Sequence, residues 1–491
     1  MMKRFNYRFV LSSVGLLLVI EALFMLFSAL VGEQYHERAT ASIYLSALIT
    51  FASGAILTFT GRKRRRSTAP NSLTRREVYL TVTLSWLTVA LFGTLPYLLS
   101  GAIYSFTNAF FESICGFTTT GSSTLVNIEA FPRSLHFWRS ITQWIGGIGI
   151  IIFVLSFMPV FGGISGQVYE AEVTGIAEEQ FRPRISEITR QMSLTYLGLT
   201  LVGFIFLLAG PMDAFDAACH TLTAISTGGF STRQMSIAYF SSPYTEYVIT
   251  LLMFLGGTNF LLISTLVTRF KGTLFRDEEF RWYLLIILLF TAGITASLLF
   301  SGRMQGVEST FRTVLFQVIA AVTTTGFATA DFQVWGSAYW LLFLVLILFC
   351  GSEGSTSGGM KISRLIALSK NTLLVFKRQV HPNALYVVKM NRKTVTGDTL
   401  SRLSAFVFLY VTLTVVSAAI LGLTGMNFEE SISVSLSSIS NYGFGLGSYG
   451  PGGTFESATP FMKYYLSFLM LIGRLEIFTV LSLLIPGFWK R

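Results

Sequence analysis

Four short stretches of this chain each carry an apolar run that ends in small hydroxyl or amide residues and a glycine. They read AFFESICGFTTTGSS around Gly121, AFDAACHTLTAISTGGF around Gly228, TFRTVLFQVIAAVTTTGFA around Gly326 and FEESISVSLSSISNYGFG around Gly443. Apolar runs of membrane length, which takes about 20 residues, bracket each of them. One such loop would constrain little. Four in the same place of a repeated unit predict re-entrant loops that meet on one axis. A chain built this way can ring a bare cation with backbone carbonyls, so the pattern points to a cation-conducting pore.

The bulk composition agrees with a membrane location. Of 491 residues, 52% are hydrophobic and 12% charged, against about 25% charged in a soluble domain. No soluble-looking stretch exceeds a few tens of residues, so any nucleotide-sensing domain belongs to another polypeptide. The net charge of +11 is clustered between apolar spans, as at Arg62–Arg66, Arg182–Arg190, Arg269–Arg281 and Lys361–Lys393. Clusters in alternate loops follow the positive-inside pattern and suit lipid headgroups, with no nucleic-acid partner. Cys115, Cys219 and Cys350 lie in or beside apolar segments and read as packing residues. The four histidines are scattered, without metal-ligand spacing. The N-terminal apolar run is long and lacks a small-residue cleavage site, so it reads as a retained span.

Ten candidate spans cover about 9–31, 39–60, 78–100, 137–160, 192–210, 246–268, 282–301, 337–369, 402–424 and 462–487. The fold class expected is all-α integral membrane. A two-helix extension (1–70) precedes four repeats (71–165, 166–272, 273–393, 394–491) of helix, re-entrant pore helix, filter strand and helix around a central pore. With the basic N-terminus inside, all four loops fall outside, and the basic clusters and both termini fall in the cytoplasm.

Irregular backbone at membrane depth is tolerated only when buried in protein or lining water. The runs before each filter are short and carry acids, including Glu112, Asp216, Glu429 and Glu430. They suit half-helices whose C-terminal carbonyls, bearing about half a negative charge, face the pore centre. The residues that follow are the candidate ion ligands: Thr119, Thr120 and Gly121; Ser226, Thr227 and Gly228; Thr324, Thr325 and Gly326; Asn441, Tyr442 and Gly443. Glycine lets a strand turn its carbonyls inward, and rings of such oxygens replace the hydration shell of potassium. No Asp or Glu lies in these strands, against a carboxylate-ring sodium or calcium filter.

Each second helix is expected to be interrupted by glycines after its filter: Gly146 and Gly147, Gly256 and Gly257, Gly351 and Gly354, and Gly473. The third is extreme, with Gly351, Gly354, Ser355, Thr356, Ser357, Gly358, Gly359 and Lys361 inside an otherwise apolar run. Each glycine costs about 1 kcal/mol in a helix, so the expectation is an unwound, flexible gate below the filter; the alternative is a cytoplasmic turn ending a short helix. Arg474 sits deep in the last apolar run, where charge is expensive. At about 7 Å from an ion and an effective dielectric near 20, it repels a cation by roughly 2 kcal/mol, an electrostatic barrier. An ion pair with Glu353 or Glu476 is the other reading. No phosphate-cradling motif occurs in the chain.

These repeats resemble the Trk/Ktr/HKT superfamily of potassium transporters, in its bacterial TrkH/TrkG branch. Beyond the four filters the likeness rests on Gln143-Trp144-Ile145-Gly146-Gly147-Ile148-Gly149, Arg182-Pro183-Arg184-Ile185, His381-Pro382-Asn383-Ala384, Gly473-Arg474-Leu475-Glu476 and a terminal Phe488-Trp489. It implies a pseudo-fourfold M1-P-M2 channel in one chain, assembled as a homodimer. It also implies relaxed filters that share one glycine per repeat; here only the fourth keeps a G-x-G, Gly443-Phe444-Gly445. In the family the glycine-rich segment is an intramembrane loop that blocks permeation, an arginine stands in the path below the filter, and a cytosolic TrkA-like or KtrA-like ring of nucleotide-binding subunits regulates the pore. The loops at 361–393 and 182–190 are the expected contact surfaces for that ring.

The function expected is potassium (K+) uptake across a bacterial inner membrane by a non-enzymatic pore subunit with no organic cofactor. Each 100 mV of potential is worth about 2.3 kcal/mol per charge, so about 150 mV, inside negative, concentrates potassium a few hundredfold. A sodium- or proton-coupled symporter, or a channel that also passes sodium or rubidium, is the alternative. A filter of serine and glycine in the family's first repeat is linked to sodium tolerance in some plant members; here the first strand has its glycine at Gly121, followed by Ser122, which leaves potassium favoured.

Overall fold

The computed structural model describes residues 5–62, 75–161, 185–269, 274–391 and 393–489. The expected contacts at Arg182, Pro183 and Arg184, and the basic run Lys63–Arg66, lie outside the described residues.

Two long helices, Tyr7–Gln34 and Ala39–Arg62, form an antiparallel N-terminal hairpin. Glycines set its spacing. A Cβ on Gly15 would stand 2.6 Å from the Gly54 carbonyl, and one on Gly54 would stand 2.7 Å from the Gly15 carbonyl. Small residues of this kind let helix backbones approach closely in lipid.

Four units follow. The first has Arg75–Phe92, the pore helix Phe106–Phe117 and the long helix Arg133–Phe161. The second has Ile185–Leu208, the pore helix Ala214–Ile225 and a broken helix, Pro243–Gly256 with Phe260–Arg269. The third has Glu278–Phe300, the pore helix Val307–Val322, the short helix Ser337–Leu348 and the helix Ile362–Val380. A two-stranded antiparallel ribbon pairs Lys389 with Thr394 and leads into the fourth. That unit has Gly397–Leu423, the pore helix Phe428–Ser440 and a broken helix, Pro460–Arg474 with Ile477–Leu484.

Among the described residues, six continuous helices are long and apolar enough to cross a membrane, and two bent pairs raise the number to eight. The bends are 105° after Gly256 and 118° after Arg474. The pore helices have 12, 12, 16 and 13 residues, about 18 to 24 Å, too short for a core of about 30 Å. Their N-termini are built as helix starts. The Asp213 carboxylate accepts from the Asp216 amide at 2.6 Å, and Asn427 and Glu430 form a capping box.

The packing is cyclic. The second helix of each unit lies against the pore helix of the next, and that of the fourth unit, Pro460–Arg474, lies against the pore helix Phe106–Phe117 of the first. A buried cluster including Phe111, Cys115, Phe455, Leu466 and Met470 closes the ring. Phe27, Leu48, Leu201, Leu289 and Phe408 point outward as exposed apolar residues, as a lipid-facing surface requires.

Two expectations about the second helices change. Helix Arg133–Phe161 runs unbroken through Gly146 and Gly147. Those glycines serve contact instead of bending: a Cβ on Gly146 would stand 1.9 Å from the Phe117 carbonyl at the end of the pore helix. The expected span 337–369 is helical only to Leu348; residues 349–361 form a loop before the next helix begins at Ile362.

Candidate permeation site

Each pore helix ends in the same way. The amides of Thr120, Gly228, Thr325 and Tyr442 donate to carbonyls five residues back, those of Cys115, Thr223, Ala320 and Ser437, at 2.8–3.0 Å. The residue before each donor adopts a left-handed conformation: Thr119 at φ 54°, Thr227 at 51°, Thr324 at 55° and Asn441 at 57°. This is a helix-ending geometry that normally takes glycine. A β-branched threonine there is strained, and such strain persists only where the surroundings over-determine it.

The residue after each donor is a glycine with positive φ: Gly121 (84°), Gly229 (79°), Gly326 (75°) and Gly443 (99°). The second strand is therefore Thr227-Gly228-Gly229, one residue on from the expected Ser226-Thr227-Gly228. Ser226 caps its pore helix, as Thr118 and Thr323 do. Gly228 stands where Thr120, Thr325 and Tyr442 stand in the other strands.

These glycines interlock in a closed ring. A Cβ on Gly121 would meet the Gly228 carbonyl oxygen at 2.3 Å, and one on Gly229 the Thr325 oxygen at 1.9 Å. A Cβ on Gly326 would meet the Tyr442 oxygen at 2.2 Å, and one on Gly443 the Thr120 oxygen at 2.2 Å. Four carbonyls at one level are thus each seated against the glycine of a neighbouring strand, in repeat order. Only a residue without a side chain fits at any of the four places.

Polar groups on the pore helices hold the strands from behind. Glu112 accepts from the Thr124 amide at 3.0 Å and the Ser123 hydroxyl at 3.0 Å. It pairs with Arg139 at 2.7 Å, both side chains fully buried, and the Arg139 guanidinium lies 4.0 Å from the Phe230 ring centroid. His220 Nε2 lies 3.0 Å from the Ser231 hydroxyl, and Gln317 Nε2 donates to the Ala330 carbonyl at 2.9 Å. Asp216 binds the Thr232 hydroxyl and Arg233, both at 2.7 Å.

The loop of the third unit lies against the pore-helix ends and the first strand residues. The Thr356 hydroxyl donates to the Ile225 carbonyl at 2.9 Å, and the Gly358 amide donates to Thr324 Oγ1 at 2.8 Å. The break in the second unit's helix leaves carbonyls without helical partners, and the loop supplies donors. Ser352 N reaches the Gly257 oxygen at 2.9 Å, and Thr356 N the Gly256 oxygen at 3.2 Å. Gly354 and Gly359 have φ of 73° and 60°. A Cβ on Gly358 would meet the Ser440 oxygen at 2.3 Å, and one on Gly351 the Ser357 hydroxyl at 2.3 Å. Ser355 Oγ donates to the Ser352 carbonyl, and Lys361 Nζ to the Ser357 carbonyl. The eight expected loop residues thus lie in one segment, packed and hydrogen-bonded against the pore-helix ends at Thr356 and Gly358.

Arg474 joins two units. Its guanidinium donates to the Thr356 carbonyl at 2.8 Å and to the Gly146 carbonyl at 2.6 Å. Glu476, one of the partners the sequence offers it, instead forms a bidentate pair with Arg364. The Arg364 guanidinium also lies 4.1 Å from the Phe406 ring centroid. Sequence reasoning gave no role to Arg139 or to the side chain of Gln143, whose amide bridges the Gly228 carbonyl and the Phe230 amide, and it counted Arg364 in a solvated basic cluster, whereas the side chain is buried. The one signal available was the place of Gln143 one helical turn before Gly146, which contacts the end of the first pore helix.

Four re-entrant helices, four interlocked strands and a lipid-facing exterior define an integral membrane transport protein. A family model described as TrkH, a cation transport protein, matches residues 41–487, and this chain belongs to that family. The chain is 34% identical over 494 residues to the Trk system potassium uptake protein TrkH of Escherichia coli strain K12, covering 99% of this chain and 100% of that one. It is 33% identical over 489 residues to the Trk system potassium uptake protein TrkI of Halomonas elongata, covering 98% and 97%. Its fold matches the crystal structure of the potassium transporter TrkH from Vibrio parahaemolyticus with a TM-score of 0.87 at 30% identity, over 99% of this chain and 100% of that chain.

Proposed function

We propose that this chain forms the potassium-conducting pore of an uptake system in a bacterial inner membrane. The closed ring of the Thr120, Gly228, Thr325 and Tyr442 carbonyls carries the proposal. Potassium sheds its water where oxygens from all four units face it at one level. Hydroxyls of Thr119, Thr227 and Thr324 and the Asn441 amide stand at the pore-helix end of the same strands. The relatives' names support potassium as the cargo.

The loop from Gly351 to Lys361 is the gate in this reading, with Arg474 as its latch and as a positive barrier. Opening requires the Thr356–Ile225, Gly358–Thr324 and Arg474–Thr356 bonds to break together. A cytosolic nucleotide-binding subunit of the TrkA or KtrA kind would drive that change through the helix Ile362–Val380, which begins where the gate ends. The filters face outward, the termini face the cytoplasm, and the unit of assembly is a homodimer.

The test is growth of a bacterium lacking its own potassium uptake systems, supplied with this gene and its regulatory subunit. Growth at micromolar potassium supports the reading, and growth only at millimolar potassium opposes it.

A further inference from the structure

Gln143 sits on the first unit's second helix, and its side chain is fully buried. Its Nε2 donates to the Gly228 carbonyl at 2.6 Å, and its Oε1 accepts from the Phe230 amide at 3.0 Å. The side chain therefore clasps the second strand on both sides of Gly229. A Cβ on Gly228 would stand 2.4 Å from both Cδ and Oε1 of Gln143. Gln143 thus fills the space that a side chain of residue 228 would take.

The other units are built differently at both places. Residues equivalent to Gly228 carry side chains. Thr120 Oγ1 lies 2.8 Å from Thr118 Oγ1, and Thr325 Oγ1 lies 2.7 Å from Thr323 Oγ1, so both strands are tied to their own pore-helix caps. Gly146, Gly256 and Gly473 each face the end of their own pore helix, at the carbonyls of Phe117, Ile225 and Ile439. Three residues before them stand Gln143, Met253 and Met470, so of these three units only the first offers an amide. The second strand, with two adjacent glycines, has the least restrained backbone of the four. It borrows its restraint from the neighbouring unit.

We propose that Gln143 is the positioning residue that fixes the Gly228 carbonyl in the ring and so sets discrimination between potassium and sodium. The proposal rests on the four strands being the ion path. Without the clasp, the Gly228 peptide is free to rotate, one of four ring oxygens leaves its level, and the preference for the larger, more easily dehydrated ion falls.

The test measures relative potassium and sodium permeability of the purified full-length chain in liposomes, for three variants. Gln143→Leu keeps the bulk but removes both the donor to Gly228 and the acceptor for Phe230. Gln143→Met copies the second and fourth units. Gln143→Met with Gly228→Thr rebuilds the second strand on the pattern of the first and third; Gly228 lies outside the left-handed region, so space alone limits a side chain there. Both single variants should lose about fivefold in the permeability ratio, what one net hydrogen bond is worth, while still passing rubidium, and the double variant should recover it. Greater thermal stabilisation by potassium than by sodium in detergent gives a second readout, expected to shrink in both single variants. Wild-type ratios in both single variants, or a double variant no better than Gln143→Met, overturn the proposal. No monovalent cation passed by the wild type or by the Gly354–Gly359 deletion overturns the pore reading itself, a separate outcome.

Discussion

Arg474 holds the main-chain carbonyl of Thr356 at 2.8 Å, joining the bend of the last broken helix to the middle of the third unit's loop. A hydrogen bond to a charged group is worth about 1.5–3 kcal/mol. Arg474→Ala removes that bond together with the positive charge proposed as a barrier. Rubidium flux through the chain alone should rise about tenfold or more, and flux equal to wild type would remove Arg474 from the gate.

Deleting Gly354 to Gly359 removes the Thr356–Ile225 and Gly358–Thr324 contacts at once. Flux should then become independent of the regulatory subunit. Continued dependence on that subunit, measured in the same vesicles, counts against the loop as the gate.

The glycines of the ring tolerate no side chain. Gly443→Ser places a Cβ 2.2 Å from the Thr120 carbonyl at φ 99°, and Gly229→Ser places one 1.9 Å from the Thr325 carbonyl at φ 79°. Local strain of about 1–3 kcal/mol should lower the potassium-to-sodium permeability ratio about tenfold in each. Gly228→Ser should relax selectivity as well, by displacing Gln143. Unchanged ratios in all three would place the ion path elsewhere.

Much of this architecture was legible because lipid is a demanding solvent. A bilayer core fixes the length of apolar runs, and irregular backbone at that depth must line a cavity or be buried. That is why runs such as Ala39–Arg62 and Glu278–Phe300, and the four pore loops, stand out in the sequence. The register of the second loop was not legible, because Gly228 and Gly229 are adjacent and only their backbone geometry, the bond from Gly228 to Thr223 and the positive φ of Gly229, decides between them. Gly146 looked like a helix break because a helical glycine costs about 1 kcal/mol. Its purpose is the close approach of Phe117, which sequence spacing does not reveal. Arg364 and Glu476, in contact across two units, were invisible for the same reason.

That pair is nearly buried, with side-chain exposures of 3% and 13%. Removing one partner of a buried pair costs about 3–5 kcal/mol, because the other charge is left uncompensated. Arg364→Ala should lower the thermal unfolding midpoint in detergent by several degrees. Arg364→Leu with Glu476→Leu should recover most of that loss. A midpoint unchanged in Arg364→Ala would show that the pair carries no stability.

The central claim is that the four strands together select and pass potassium. It is tested most directly by rubidium and sodium tracer uptake into liposomes that hold the purified chain alone, under an inside-negative potential. The account predicts that rubidium accumulates and that sodium enters much more slowly. Equal uptake of both ions, or no uptake of either in the wild type and in the loop deletion alike, would contradict it.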